Sequence, residues 1–159
     1  MTDTINPLDL KMCETRWFED FEAGEKFYIN SRTMTDALFS AFQLASGDNH
    51  PIHYDRHWCK AHGHRDLVAH GYQVAIQTCA GAGILPHVMG DAMIAFLEQS
   101  SRFLAPVYAG DTVYPALEIS ELVEKNTTGV LTCKSTVHNQ DGVLVMDGHH
   151  KYLLRKRPS

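Results

Sequence analysis

The sequence predicts an α+β domain in which an antiparallel β-sheet wraps around one long central helix. Two observations carry this expectation. The second half of the chain holds four long segments of strand character, 93–104, 112–124, 129–138 and 143–154, separated by turn residues. Ahead of them lies one stretch, 71–85, that is apolar around most of its circumference, the pattern of a helix enclosed on nearly every side. The 159 residues fit one domain and suffice to bury a core. We read 1–16 as an N-terminal arm with little periodicity and 17–159 as a single domain.

The elements follow in order. Residues 17–21 are aromatic and acidic, and Ala23-Gly24-Glu25 reads as a turn. Residues 27–33 alternate and read as a strand. Thr35 and Asp36 can cap a helix whose apolar positions Leu38, Phe39, Phe42 and Ala45 fall at helical spacing, with Gly47 as its stop. The stretch 47–70 is too polar for core and too rich in His and Asp for an idle linker, and we read it as a functional loop holding a short helix near 55–61. In 71–85, Ala75, Ala80, Gly81, Ala82 and Gly83 would let strands come close to the helix backbone, at a cost in helix propensity. Gly110-Asp111 introduces the second long strand, and Asn139-Gln140-Asp141-Gly142 makes a tight hairpin between the last two. No internal repeat occurs.

Composition narrows the function classes. Fourteen Lys and Arg stand against 19 Asp and Glu, a formal charge of −5, which disfavours a nucleic-acid grip on phosphates. No apolar run is long enough to span a membrane, and the first residues lack a secretory pattern. Cys13, Cys59, Cys79 and Cys133 are scattered without a CxxC, the usage of reduced thiols in a cytoplasmic protein. Histidine is the outlier: ten in all, six of them from His50 to His70.

Asp48, His50 and His53 fall within six residues, with Gly47 permitting a sharp turn and Pro51 stiffening the chain. A carboxylate and an imidazole held this way can share a water, and histidine exchanges protons near neutral pH. The plainer reading makes Asp48 a turn cap and the histidines surface residues. A metal reading is a third: His50-x-x-His53 with His57, His62 and His64 has ligand spacing, but Cys59 is the one nearby thiol. Val68-Ala69-His70-Gly71 opens the apolar stretch, and a glycine at a helix start can present its N–H to an oxyanion, or can serve close packing alone.

Three segments together resemble the MaoC-like hydratase/dehydratase family, which includes (R)-specific enoyl-CoA hydratases. They are Gly47-Asp48-Asn49-His50-Pro51-Ile52-His53, Val68-Ala69-His70-Gly71, and Arg102-Phe103-Leu104-Ala105-Pro106-Val107-Tyr108-Ala109-Gly110-Asp111. The resemblance implies a hot-dog fold, a homodimer and hydration or dehydration of a CoA thioester without metal or redox cofactor. It implies Asp48 and His53 as the catalytic pair and the Gly71 N–H as donor to the thioester carbonyl. His50 stands where the family motif often has Asn, and bears on which acyl groups fit. His50 and His70 are read as substrate-binding, with Lys60, His64 and Arg65 as the loop cations that meet CoA phosphates. The terminal Lys151, Arg155, Lys156 and Arg157 are a second candidate set, or simply a solvated strand end. Thioester hydrolysis on the same fold and a non-catalytic acyl-CoA-binding dimer remain as alternatives.

Overall fold

In a computed structural model of the chain, residues 11–158 are described. Most of the expected arm, residues 1–10, lies outside them. The rest of it is tied down: the Arg16 N–H donates to the Val88 carbonyl at 2.8 Å, and its guanidinium forks onto Glu25 at 2.7 and 2.8 Å.

The expected strand at 27–33 is two short ones, β1 (Lys26–Tyr28) and β2 (Arg32–Thr33), both paired with the long strand that Gly110 introduces. Helix α1 (Asp36–Ser46) starts at Thr35, whose hydroxyl accepts from the Leu38 N–H, and stops at Gly47 in the left-handed region, φ 70°. A 3-10 turn at Pro51–His53 and helix α2 (Arg56–Ala61) lie within the polar loop. Strands β3 (Met93–Phe103), β4 (Thr112–Glu124), β5 (Thr128–Asn139) and β6 (Leu144–Arg155) make the body of the sheet. All pairings are antiparallel, in the order β1-β4-β5-β6-β3, with β2 beside β4. This is the hot-dog α+β arrangement that the sequence resemblance implies. Among the described residues no helix is long and apolar enough to cross a membrane.

The central segment differs from the expected long helix. It forms α3 (Gly71–Ala75), 3-10 turns at Ile76–Thr78 and Ala80–Ala82, and α4 (Leu85–Met89). Cys79 leaves the helical region at φ −55°, ψ 118°, and Gly83 is extended at φ −128°, ψ −169°. The small residues explain the break. Each glycine costs roughly 1 kcal/mol against alanine in a helix, and Gly83 forms a β-bridge with Ile29, where a Cβ would sit 3.2 Å from the Tyr28 carbonyl. Pro86 falls in the first turn of α4, where no N–H is needed. Nor is the segment buried all round: Tyr72 is 79% exposed and Ile76 47%, while Gln73, Gln77 and Thr78 point inside.

The core has two apolar clusters. One gathers Phe18, Phe27, Leu85, Met89, Leu131 and Leu154; the other gathers Met34, Phe39, Cys59, Val74, Val137 and Met146. Along β5 the inward residues Leu131 and Cys133 belong to the first cluster and Val137 to the second, with buried Ser135 between them. Opposite Ser135 in the register is Gly148, where a Cβ would sit 1.9 Å from the Ser100 carbonyl oxygen; only glycine lets β3 and β6 close there.

His150, next but one on β6, is 3% exposed. The Thr78 hydroxyl donates to the Ala75 carbonyl at 2.7 Å, so at 3.1 Å it accepts from His150 Nε2–H. The other ring nitrogen, Nδ1, then accepts from the Tyr152 hydroxyl at 3.0 Å. Burial pushes this imidazole down to about 4 from 6.5. The unfolded chain therefore takes up this proton first as the pH falls. Stability should drop between pH 6.5 and about 4, by roughly 3 kcal/mol at about 1.4 kcal/mol per pH unit. Thermal midpoints across that window should fall less steeply for His150→Gln than for the wild type; equal slopes would assign the loss to other groups.

Candidate active site

Side-chain-to-backbone bonds shape the loop after α1. Gly47 turns the chain, and the Asp48 N–H donates to Ser46 Oγ at 3.2 Å. Asp48 Oδ1 accepts from the His50 N–H at 3.3 Å, and His50 Nδ1 accepts from the Ile52 N–H at 3.3 Å. Asn49 is held to α1 by Gln43 at 2.8 Å. Asp, Asn and His are suited to such local bonds, and Pro51 starts the turn that follows. His50 is thus a loop-shaping residue, its ring edge-on to Trp58 at 5.2 Å.

This geometry delivers His53. Its Nδ1 lies 2.6 Å from the Val68 carbonyl oxygen, which can only accept, so Nδ1 carries the proton and Nε2 the lone pair. Nε2 faces Asp48 Oδ2 across 3.9 Å. That is too far for a direct hydrogen bond and is the spacing of two groups that share a water. Burial is the largest influence on His53 and lowers its proton affinity below the ordinary 6.5; neighbouring His70 and His50 lower it too, while the Val68 bond and the Asp48 charge raise it. The ring is therefore a free base at neutral pH.

His70 is buried behind His53. The two rings stack with centroids 3.6 Å apart and planes 18° from parallel, and the Phe42 ring lies tilted against His70 at 4.9 Å. His70 Nε2 lies 3.2 Å from the Asp48 carbonyl oxygen. Gly71 follows as the first residue of α3, so its N–H has no acceptor within the helix. It lines a cleft of about 420 Å³ with Val68, Ala69, Val74, Phe103 and Pro106. A Cβ on Gly71 would meet the Phe103 ring at 3.0 Å, so the absent side chain is what lets this wall close.

The cations read from the sequence are less free than expected. Arg65 bonds the carboxylate of Asp111 and lies over the Tyr108 ring at 4.3 Å. Asp111 is buried and also accepts from the Tyr108 N–H at 2.8 Å and from Gln140 at 3.1 Å, so Arg65 neutralises a structural carboxylate. Lys60 stands exposed on α2. In the terminal set, Lys151 pairs with Glu98, Lys156 with Glu124 and Arg157 with Asp20, and Arg155 donates to the Asp91 carbonyl.

Asp48, His53 and His70 bring possible metal-ligand atoms within 4.8 Å of one another, the one such group among the described residues. His57, His62 and His64, part of the metal reading of the sequence, are not in it. In this trio His70 Nε2 and His53 Nδ1 are already engaged with carbonyl oxygens, and the near-parallel rings do not aim their lone pairs at one point. Two participants escaped sequence reasoning. The Val68 carbonyl, which fixes the His53 tautomer, leaves no side-chain signal. Gln73 does: it is a polar residue four before Gln77 in an otherwise apolar segment, and both are buried.

The chain is 27% identical over 136 residues to a 3-hydroxybutyryl-CoA dehydratase of Methylorubrum extorquens, covering 83% of this chain and 80% of that protein. It is 27% identical over 130 residues to an (R)-specific enoyl-CoA hydratase of Aeromonas caviae, covering 82% and 92%. Its fold superposes on a monoamine oxidase regulatory protein of Archaeoglobus fulgidus with a TM-score of 0.85 at 29% identity, covering 94% of this chain and all of the other. The model of the MaoC like domain matches residues 20–140, a span that begins ahead of β1 and contains Asp48, His53 and Gly71, and on that match the chain belongs to the MaoC-like hydratase/dehydratase family.

Proposed function

We propose that the protein catalyses the reversible addition of water to a 2-enoyl-CoA, giving the (R)-3-hydroxyacyl-CoA. The observation that carries this reading is the 3.9 Å gap between a free-base Nε2 of His53 and a carboxylate oxygen of Asp48. A water in that gap donates one hydrogen to each. As its oxygen attacks C3, its proton passes to His53 Nε2 and the π electrons move through C2 onto the thioester oxygen. The Gly71 N–H stabilises that oxygen. C2 then takes a proton from the His53 side, so OH and H enter from one face. Acid–base help of ~10²–10⁴-fold and an oxyanion contribution of about 3 kcal/mol are of the size such a step needs. No step requires a metal or redox cofactor. Lys60 is the cation we assign to a CoA phosphate, since Arg65 is committed to Asp111.

The working unit in this reading is a homodimer. Strand β3 ends the sheet on one side, and Ile94, Phe96, Leu97 and Phe103 on it are 41–52% exposed, apolar side chains along an edge strand that a second copy could cover. Sedimentation at micromolar concentration should give a species of two 17.9 kDa chains; a single-chain species throughout would remove the dimer.

The catalytic assignment is tested by turnover of crotonyl-CoA. Asp48→Asn and His53→Ala should each lower kcat at least ~10²-fold with folding intact, and a chelator should leave the wild-type rate unchanged. Because burial lowers His53, the acid limb of kcat/KM should have its midpoint below 6.5. Lys60→Ala should raise KM for the CoA ester and not for the pantetheine ester. Normal turnover in either catalytic variant, or release of free thiol in place of loss of the enoyl absorbance, would overturn the reading.

A further inference from the structure

Two buried side chains behind the site, His70 and Gln73, are 3% and 1% exposed, and the catalytic scheme above uses neither. Their contacts leave one polar atom without a partner. As placed, Gln73 Oε1 lies 3.4 Å from His70 Nδ1, and Gln73 Nε2 is buried with no hydrogen-bond partner. The other nitrogen of His70, Nε2, lies 3.2 Å from the Asp48 carbonyl oxygen, which can only accept. Nε2 must therefore carry the proton, and in the neutral ring Nδ1 must accept. An acceptor facing an acceptor is unsatisfactory, and the unpartnered amide nitrogen sits on the same carboxamide. Exchanging the O and N of Gln73 resolves the clash: the NH2 group then donates to Nδ1, and the atom left without a partner is the acceptor Oε1, a less costly orphan than a buried amide nitrogen.

We infer that Gln73 and His70 form a positioning relay that sets the location of Asp48. The amide of Gln73 holds Nδ1 as an acceptor, so that His70 keeps its one proton on Nε2 and gives it to the Asp48 backbone. The relay is itself anchored, since Gln77 Nε2 donates to the Gln73 carbonyl at 2.9 Å. It reaches both members of the catalytic pair. Through Nε2 it fixes the backbone of a residue whose side chain is 54% exposed and otherwise rests on short loop contacts. Through the 3.6 Å ring stack it also sets the plane of His53. Should Nδ1 become the protonated nitrogen of a neutral ring, Nε2 would face the Asp48 carbonyl lone pair to lone pair. The loop would then have to move, opening the 3.9 Å gap in which the water is to sit. Neither residue touches the reacting atoms in this account.

The role in catalysis rests on the hydratase reading, but the tautomer does not, and the experiment separates them. In protein labelled with 15N histidine, the ring signals of His70 are assigned through contacts with the Phe42 and His53 rings at neutral pH, with no ligand added. The wild type should show His70 as the Nε2–H tautomer. Gln73→Leu removes the donor and should shift His70 toward a mixture of tautomers. In the same variant kcat for crotonyl-CoA should fall about 10- to 100-fold with KM nearly unchanged, the effect of misplacing a reacting group by a fraction of an ångström. Gln73→Asn, with a shorter amide, should recover part of that loss. An Nδ1–H tautomer in the wild type overturns the relay whether or not the protein turns over enoyl-CoA. A lost tautomer with unchanged kcat overturns the positioning role. If the wild type has no hydratase activity, that reading fails, and the wild-type tautomer alone decides the hydrogen-bond assignment.

Discussion

The bond from His53 Nδ1–H to the Val68 carbonyl, at 2.6 Å, fixes which nitrogen of the imidazole is left to do chemistry. Val68 can hold that position because its own chain is pinned on both sides. Its N–H donates to the Ile52 carbonyl at 3.0 Å, and the Ala69 N–H donates to the Val107 carbonyl at 2.8 Å. The first bond ties the segment before α3 to the loop that carries His53; the second ties it to the turn leading into β4. With the proton directed away from the site, Nε2 faces Asp48 as a base, and burial keeps it unprotonated. The proton-accepting side of the 3.9 Å gap depends on that tautomer.

The sheet and the loop solve different problems. Long antiparallel strands give a rigid frame with a dry interior, which suits two apolar clusters and poorly suits a proton-transfer site. Several polar groups are nonetheless enclosed. Ser135, His150, Thr78, Gln77 and Gln73 lie inside and are mostly hydrogen-bonded to one another or to backbone. Asp48 and His53 sit on a loop made stiff by side-chain-to-backbone bonds, so one carboxylate stays half exposed while the histidine facing it is nearly covered. The broken central segment belongs to the same compromise. A continuous helix would present a regular apolar face, whereas the 3-10 turns bring Thr78 against His150 and Gly83 against Ile29.

Much of this was legible in the sequence, for identifiable reasons. Strand positions of β3 to β6 follow from long segments of strand character bounded by turn residues, and Thr35 and Gly47 mark the ends of α1 because capping and left-handed backbone are local properties. Asp48 and His53 come together as expected because Gly47 and Pro51 confine the chain between them. The central segment breaks where one helix is expected because apolar content around a full circumference says that a segment is enclosed and says little about whether it stays helical; its glycines and proline carry that information. The sequence shows the charge of Arg65 and its place ahead of α3 but not its partner Asp111, 46 residues away, a pairing that only the tertiary fold creates. The same holds for Val68, whose part is played by a backbone atom.

The central claim is that water is delivered and a proton returned on one face of a 2-enoyl thioester by the Asp48 and His53 pair. The most direct measurement is the stereochemistry of hydration in deuterated water. Crotonyl-CoA is incubated with the protein in D2O, and the product is analysed for configuration at C3 and for the position of deuterium at C2. The account predicts (R)-3-hydroxybutyryl-CoA with deuterium at C2 on the same face as the new hydroxyl. An (S) product, deuterium on the opposite face, or free CoA with no hydroxyacyl ester would contradict it.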